Sequence, residues 1–92
     1  MLILSQTGQN LLNVENIQSL YISRKISSKS DESGKKIMVY VIIARFDSGH
    51  RNFTELGEYF SEECAKEILR SIFKKYGEGV SIIPKFYEMP QE

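Results

Sequence analysis

The sequence predicts an α+β fold: an antiparallel sheet of four to six strands, two N-terminal hairpins among them, with one amphipathic helix packed on it and a C-terminal edge strand. Three observations predict it. Through the first two-thirds of the chain, apolar and β-branched residues gather in short runs separated by Gly, Asn, Asp and Ser, as strands joined by turns do. Residues 61–76 instead repeat their apolar side chains at the i, i+3, i+4 spacing of a helix face. After Gly77-Glu78-Gly79 the chain becomes extended in character again. With 92 residues, 41% hydrophobic and 26% charged, it suits one small domain over 1–92, with little room for a deep active-site cavity.

Residues 2–4 and 10–14 are apolar-rich and flank Ser5-Gln6-Thr7-Gly8-Gln9, where the glycine supplies the positive φ of a tight reversal. They read as the first hairpin. Asn13 to Asn16 is a polar break, after which Ile17 to Lys25 carries Leu20, Tyr21 and Ile22, suited to a third strand. Residues 27–36 contain no apolar side chain, so a mobile polar loop is expected there. Ile37 to Phe46 is β-branched and apolar at both alternating sets of positions, which predicts a central strand covered on both faces. The turn signal Asp47-Ser48-Gly49-His50 then leads into a returning strand, Arg51 to Leu56.

The helix is specified at both ends. Ser61 is its N-cap, Glu62 and Glu63 face the positive end of the dipole, Lys74 and Lys75 the negative end, and Gly77 is placed for a left-handed C′ position. Ala65, Ile68, Leu69, Ile72, Phe73 and Tyr76 form one stripe expected to lie on the sheet. Val80 to Tyr87 reads as an edge strand or docked arm, because Pro84 cannot donate to a ladder. Parallel crossovers are not expected.

Charge and cysteine content exclude several function classes. Twelve Lys and Arg balance twelve Asp and Glu, whereas a protein built to grip polyanions carries a basic excess. Cys64 is the sole cysteine, which rules out an intramolecular disulfide and cysteine-rich zinc sites and fits a reducing cytoplasmic compartment. Met1-Leu2-Ile3-Leu4 is too short for a signal-peptide core, and the longest apolar run, Ile37 to Ala44, has eight residues, too few to span a bilayer.

Two stretches carry a resemblance. Leu4-Ser5-Gln6 with Leu12-Asn13-x-x-Asn16-Ile17-x-Ser19-Leu20-Tyr21-Ile22, and later Leu56-Gly57-x-Tyr59-x-Ser61-x-Glu63-x-Ala65-Lys66-x-Ile68-Leu69, resemble small proteins of low-GC Gram-positive bacteria and their phages whose biochemical role is unassigned. The resemblance implies a cytoplasmic sheet-plus-helix protein and brings no catalytic residues with it. The charged 27–36 segment departs from that group.

Each candidate site has an ordinary alternative. Cys64, in the first helical turn where a thiol pKa can fall, reads better as a small apolar residue beside Ala65 than as a nucleophile. His50, the sole histidine, reads as a turn residue next to Asp47 and Arg51 and has no orienting third group. Gly77-x-Gly79 follows a helix, whereas phosphate-binding glycines precede one. No catalytic residue, metal site, cofactor or small-molecule substrate is therefore expected. Residues 24–36 hold five basic against two acidic side chains, so Arg24, Lys25, Lys35 and Lys36, near Tyr21 and Tyr40, are the candidate phosphate contacts. The ordinary reading is a solvated hairpin whose lysines prevent edge pairing. The tail from Val80 to Met89 places six apolar residues in ten, so it either completes the chain's own core or adds to a partner's sheet edge, with Ile82, Ile83, Phe86 and Tyr87 the candidate contacts to a protein partner or a second copy. The expected function is thus a non-enzymatic interaction module or self-associating accessory protein, the alternative a nucleic-acid-associated accessory protein.

Overall fold

The computed structural model describes residues 1–30, 34, 36–46, 53–77 and 86–91, the side chains of 27–30 and 36 excepted. Strand β1, Leu2–Leu4, turns back into β2, Leu11–Asn13, antiparallel with Ile3 opposite Leu12. The reversal is built by Ser5 and Gly8. Ser5 N–H donates to the Asn10 carbonyl at 2.8 Å, Gly8 N–H to the Ser5 carbonyl at 2.9 Å, and Asn10 N–H to Ser5 Oγ at 3.1 Å, with Gly8 at φ +74°. The Asn13 side chain then accepts from Glu15 N–H and caps a 3₁₀ turn, Val14–Asn16.

Strand β3, Ile17–Ser30, pairs antiparallel with β4, Lys36–Phe46, which pairs antiparallel with β5, Phe53–Tyr59. Helix α1, Glu62–Tyr76, packs across this second sheet, and β6, Phe86–Glu88, returns to the first. The strand orders are β2-β1-β6 and β3-β4-β5. The expected α+β class, the N-terminal hairpin, the central strand and the helix are all present, and β6 lies at a sheet edge.

Four expectations are corrected. The strands form two sheets, and β1 pairs with β6 in parallel, Ile3 opposite Tyr87. Residues 27–30 continue β3 and Lys36 opens β4, so five of the ten residues of the expected 27–36 loop belong to strands, Ser30 pairing with Lys36. Gly77 ends α1 with φ −80° and its N–H on the Phe73 carbonyl at 3.0 Å, a right-handed turn. Phe73 and Tyr76 are half exposed at the flank of the helix; only Ala65, Ile68 and Ile72 of the stripe are buried. The turn at 47–50 and residues 78–85 lie outside the described residues.

One core joins both sheets to the helix: Ile3 from β1, Ile42 and Ala44 from β4, Leu56 and Tyr59 from β5, the three helix residues, and Met89. Met1, Leu12, Val14, Ile17, Leu20, Ile22, Leu69 and Tyr87 pack around its rim. The opposite face of β4 forms a second cluster, Val39, Val41 and Ile43, beside Ile37. β4 is therefore buried on both faces, as its unbroken apolar run predicts.

Two bulges set which side chains share a face. In β3, Ile17 pairs with Phe46 and Ser19 with Arg45, so Gln18 is an extra residue. In β5, Gly57 pairs with Ile42 and Glu55 with Ile43, so Leu56 is extra. Residues three apart point to opposite faces of a regular strand, and a bulge brings them to the same one. Ile17 and Leu20 accordingly both turn to the helix-side core, while Glu55 and Glu58 both turn away from it.

Candidate functional site

The bulge at Gln18 shapes a groove on the surface of the described residues. This groove, of about 370 Å³, runs between α1 and the start of β3, lined by Val14, Ile17, Gln18, Ser19 and Leu20 on one side and by Ile72, Phe73 and Tyr76 on the other. No β4 or β5 residue lines it, which places it on the outer flank of β3. Six of the eight lining side chains are apolar or aromatic. A more open polar depression, lined by Glu15, Asn16, Ile17 and Gln18, continues from it.

The groove lies beside an edge. β4 is the one strand paired with β3 among the described residues, so the outer peptide groups of a 14-residue strand face away from the sheet. The outer edge of β5 is occupied instead. Gln6 N–H donates to the Leu56 carbonyl at 2.7 Å, its side-chain amide donates to the Glu58 carbonyl at 3.2 Å, and its Oε1 accepts from Glu58 N–H at 2.9 Å. Gln6 thus imitates a further strand against β5 and stitches the two sheets together.

On the far face, Lys25 reaches from β3 across β4 to β5. Its Nζ lies 2.8 Å from Glu55 and 2.8 Å from Glu58, above the Val41 backbone position that pairs with Ser23 on one side and Glu58 on the other. The hydrogen bond to Glu55, then that to Glu58, holds the ammonium above its ordinary titration range. The aliphatic stem of a lysine in this position shields apolar neighbours while its charge stays in water.

The structure separates the sequence-predicted phosphate contacts. Arg24 and Lys25 are consecutive strand residues and so face opposite ways. Arg24, opposite Tyr40, is exposed at the helix side of the sheet, and Lys25 is engaged by its two carboxylates. Lys35 lies outside the described residues, and of Lys36 only the backbone is described. Of the candidate partner contacts, Ile82 and Ile83 lie outside the described residues, Tyr87 packs against the main core, and Phe86 is half exposed. The neighbouring Met89 is fully buried, with its N–H on the Leu4 carbonyl at 3.0 Å. Cys64 is partly buried against the core, its N–H donating to the capping Ser61 Oγ at 3.3 Å. His50 lies outside the described residues, and among those described no group of three or more His, Cys, Asp or Glu is placed to hold a metal ion.

No family model, curated protein or solved structure matches the chain. The groove was missed in the sequence because its lining comes from the flank of an amphipathic helix and from a bulge. Phe73 and Tyr76 continue the apolar stripe without a break. Their number was the available signal, since five large apolar positions besides Ala65 on a four-turn helix make a stripe wider than one narrow sheet covers.

Proposed function

We propose that the chain is a non-enzymatic protein–protein interaction module whose contact surface is the groove between α1 and the outer edge of β3. The carrying observation is the coincidence of an apolar groove with an outer strand edge. Isolated exposed apolar side chains are ordinary, whereas a concave set bordering a strand edge that is unpaired among the described residues offers both desolvation and directional hydrogen bonds. A cytoplasmic setting is supported by the single cysteine. No described helix is long and apolar enough to cross a membrane. Kinship with the small proteins of Gram-positive bacteria and their phages rests on the motifs around Leu12–Ile22 and Leu56–Leu69.

The test is affinity capture from native lysate, with and without nuclease, using the wild-type chain and Phe73→Asp as paired baits. Proteins retained after nuclease and lost with Phe73→Asp support the proposal. An identical set on both baits sinks it. The second reading, a nucleic-acid accessory protein, draws on Arg24 beside Tyr40 and on the exposed ring of Tyr21. It requires partners that vanish with nuclease and binding that falls steeply as salt rises.

A further inference from the structure

We propose that the far end of the β3–β4 pair is a DNA-binding arm, a two-stranded ribbon that lies in the major groove of a duplex between its two phosphate backbones. The proposal is independent of the groove beside α1. It rests on the nucleic-acid reading and deepens it, naming the element that binds and the form of nucleic acid bound. β5 pairs with β4 no further than Tyr40, which stands opposite Tyr59. Past that row β3 continues from Lys25 to Ser30 and β4 comes from Lys36 to Val39, a ribbon of two strands among the described residues. Its β3 side is about 20 Å long. The whole of β3, 14 residues, measures about 46 Å. The molecule is 50 Å long and 28 by 21 Å across, so a strand of that length fits only along the long axis, and the ribbon forms one end of it. On the ribbon, Ile26 stands opposite Met38, and both are about half exposed and belong to neither core cluster. They share a face with Arg24 and Tyr40, two residues back along each strand.

The charge distribution selects the occupant. Every charged residue on the strands of this end is basic: Arg24, Lys25 and Lys29 on β3, Lys36 on β4. Counting Asp31, Glu32 and Lys35 between the strands, residues 24–36 carry a net charge of plus three, and since the chain balances, the rest carries minus three. An anion is therefore drawn to this end and repelled by the remainder. The carboxylates nearest in the ladder, Glu55 and Glu58, are held on the opposite face by Lys25, and Glu62 at the start of α1 is held by Lys66. Arg24, Lys29 and Lys36 are left for an outside partner, and they lie on both strands. The major groove of DNA, about 12 Å wide, admits a two-stranded ribbon with a phosphate wall on either side, and its thymine methyls suit aliphatic side chains such as Ile26 and Met38. Duplex RNA has a major groove too narrow to enter. An anionic membrane fits poorly, because the ribbon's apolar pair lies short of residues 27–36, which contain no apolar side chain and include two carboxylates. A second copy would set basic ribbon against basic ribbon, and like charges across a ladder are destabilising. An acidic protein surface would meet one strand and leave the charge of the other unanswered.

The experiment is fluorescence anisotropy of the full chain with a labelled mixed-sequence DNA duplex over a salt series. Single-stranded oligothymidine, duplex RNA, polyglutamate and phosphatidylserine vesicles are measured alongside. Expected is micromolar binding to the DNA duplex at low salt, with log affinity falling against log salt at a slope of about −3, one phosphate for each available basic side chain. Arg24→Ala and Lys29→Ala should each take about one from that slope. Ile26→Ser should weaken binding at unchanged slope, and Phe73→Asp, in the groove beside α1, should leave it unaltered. An unchanged melting temperature certifies the fold of each variant. Duplex binding indifferent to Arg24→Ala and Lys29→Ala would overturn the ribbon and keep the nucleic-acid reading. Single strands, duplex RNA, polyglutamate or vesicles bound as well as the DNA duplex would overturn the major-groove assignment. No binding to any nucleic acid at low salt would overturn both, and would leave the lysines as protection of a strand edge.

Discussion

Gly57 and Tyr59 show how narrowly single residues are specified. A Cβ added at Gly57 would stand 2.7 Å from Tyr59 Oη and 2.9 Å from its ring, while Tyr59 is fully buried and donates its hydroxyl to the Pro90 carbonyl at 2.9 Å. The ring lies over the glycine and fills the space a side chain would take. Gly57→Ala should therefore destabilise the fold by about 1–3 kcal/mol through overpacking, measured as a lower denaturant midpoint with an unchanged slope. Lys25 makes a different prediction. Its ammonium titrates above the ordinary range in the folded state, so the contribution of its two ion pairs is complete below the unfolded pKa and is lost as pH rises through the folded one. In the half-exposed setting of this lysine the pairs are worth about 1 kcal/mol or less. Wild type and Lys25→Met should accordingly converge in stability as pH rises through the raised folded-state pKa, above the ordinary lysine range, in thermal melts at low salt.

At the scale of the element, α1 was legible almost to the residue because capping is local chemistry. Ser61, the two acidic residues after it and the basic pair before the end each act within a turn of where they stand. Ser61→Ala should cost about 1 kcal/mol, read from chemical denaturation, since Cys64 N–H loses its acceptor. The Ser5–Asn10 reversal was equally legible, through the positive φ of Gly8. The bulges were not. Glu55 and Glu58, three residues apart, read from spacing alone as opposite-facing, and the ion pairs to Lys25 depend on Leu56 being skipped by the ladder. The groove shares that cause: without the extra residue at Gln18, Ile17 and Leu20 would face opposite ways. A bulge is a property of two strands in register, and one strand's sequence does not contain its partner.

For the whole molecule, the C-terminal residues are structural before they are anything else. Met89 completes the shared core, Pro90 accepts from Tyr59, and the Gln91 side chain donates to the Gln6 carbonyl at 2.6 Å. Met89→Ala should cost about 2–5 kcal/mol, a large part of the total stability of a protein this small, and calorimetry should show a correspondingly lower melting temperature. Gln6→Ala should raise the hydrogen-exchange rate of the Glu58 amide and that of the Leu4–Met89 pairing, because it removes the side-chain bonds to Glu58 and Pro90 and leaves only backbone bonds at Gln6 to hold the sheets together. The sequence signalled that this tail packs, through its apolar density, but not where. The parallel pairing with β1 is invisible to any local pattern, since both strands have only three residues and their registry is fixed by the core beneath them.

That pairing also orders events in time. β1 is made at the beginning of synthesis and its partner β6 more than eighty residues later, the separation of the Gln6–Pro90 and Gln6–Gln91 bonds being 84 and 85 residues. A nascent chain holding β3, β4, β5 and α1 can assemble that sheet and helix from near neighbours. The first sheet waits with one edge open until residues 86–88 emerge. Contacts of such long range close slowly, and an open edge is a site for mispairing meanwhile. The N-terminal hairpin is thus synthesised first and secured last, and a ribosome stalled before Phe86 would display a chain that has built its centre and left its first strand half-paired.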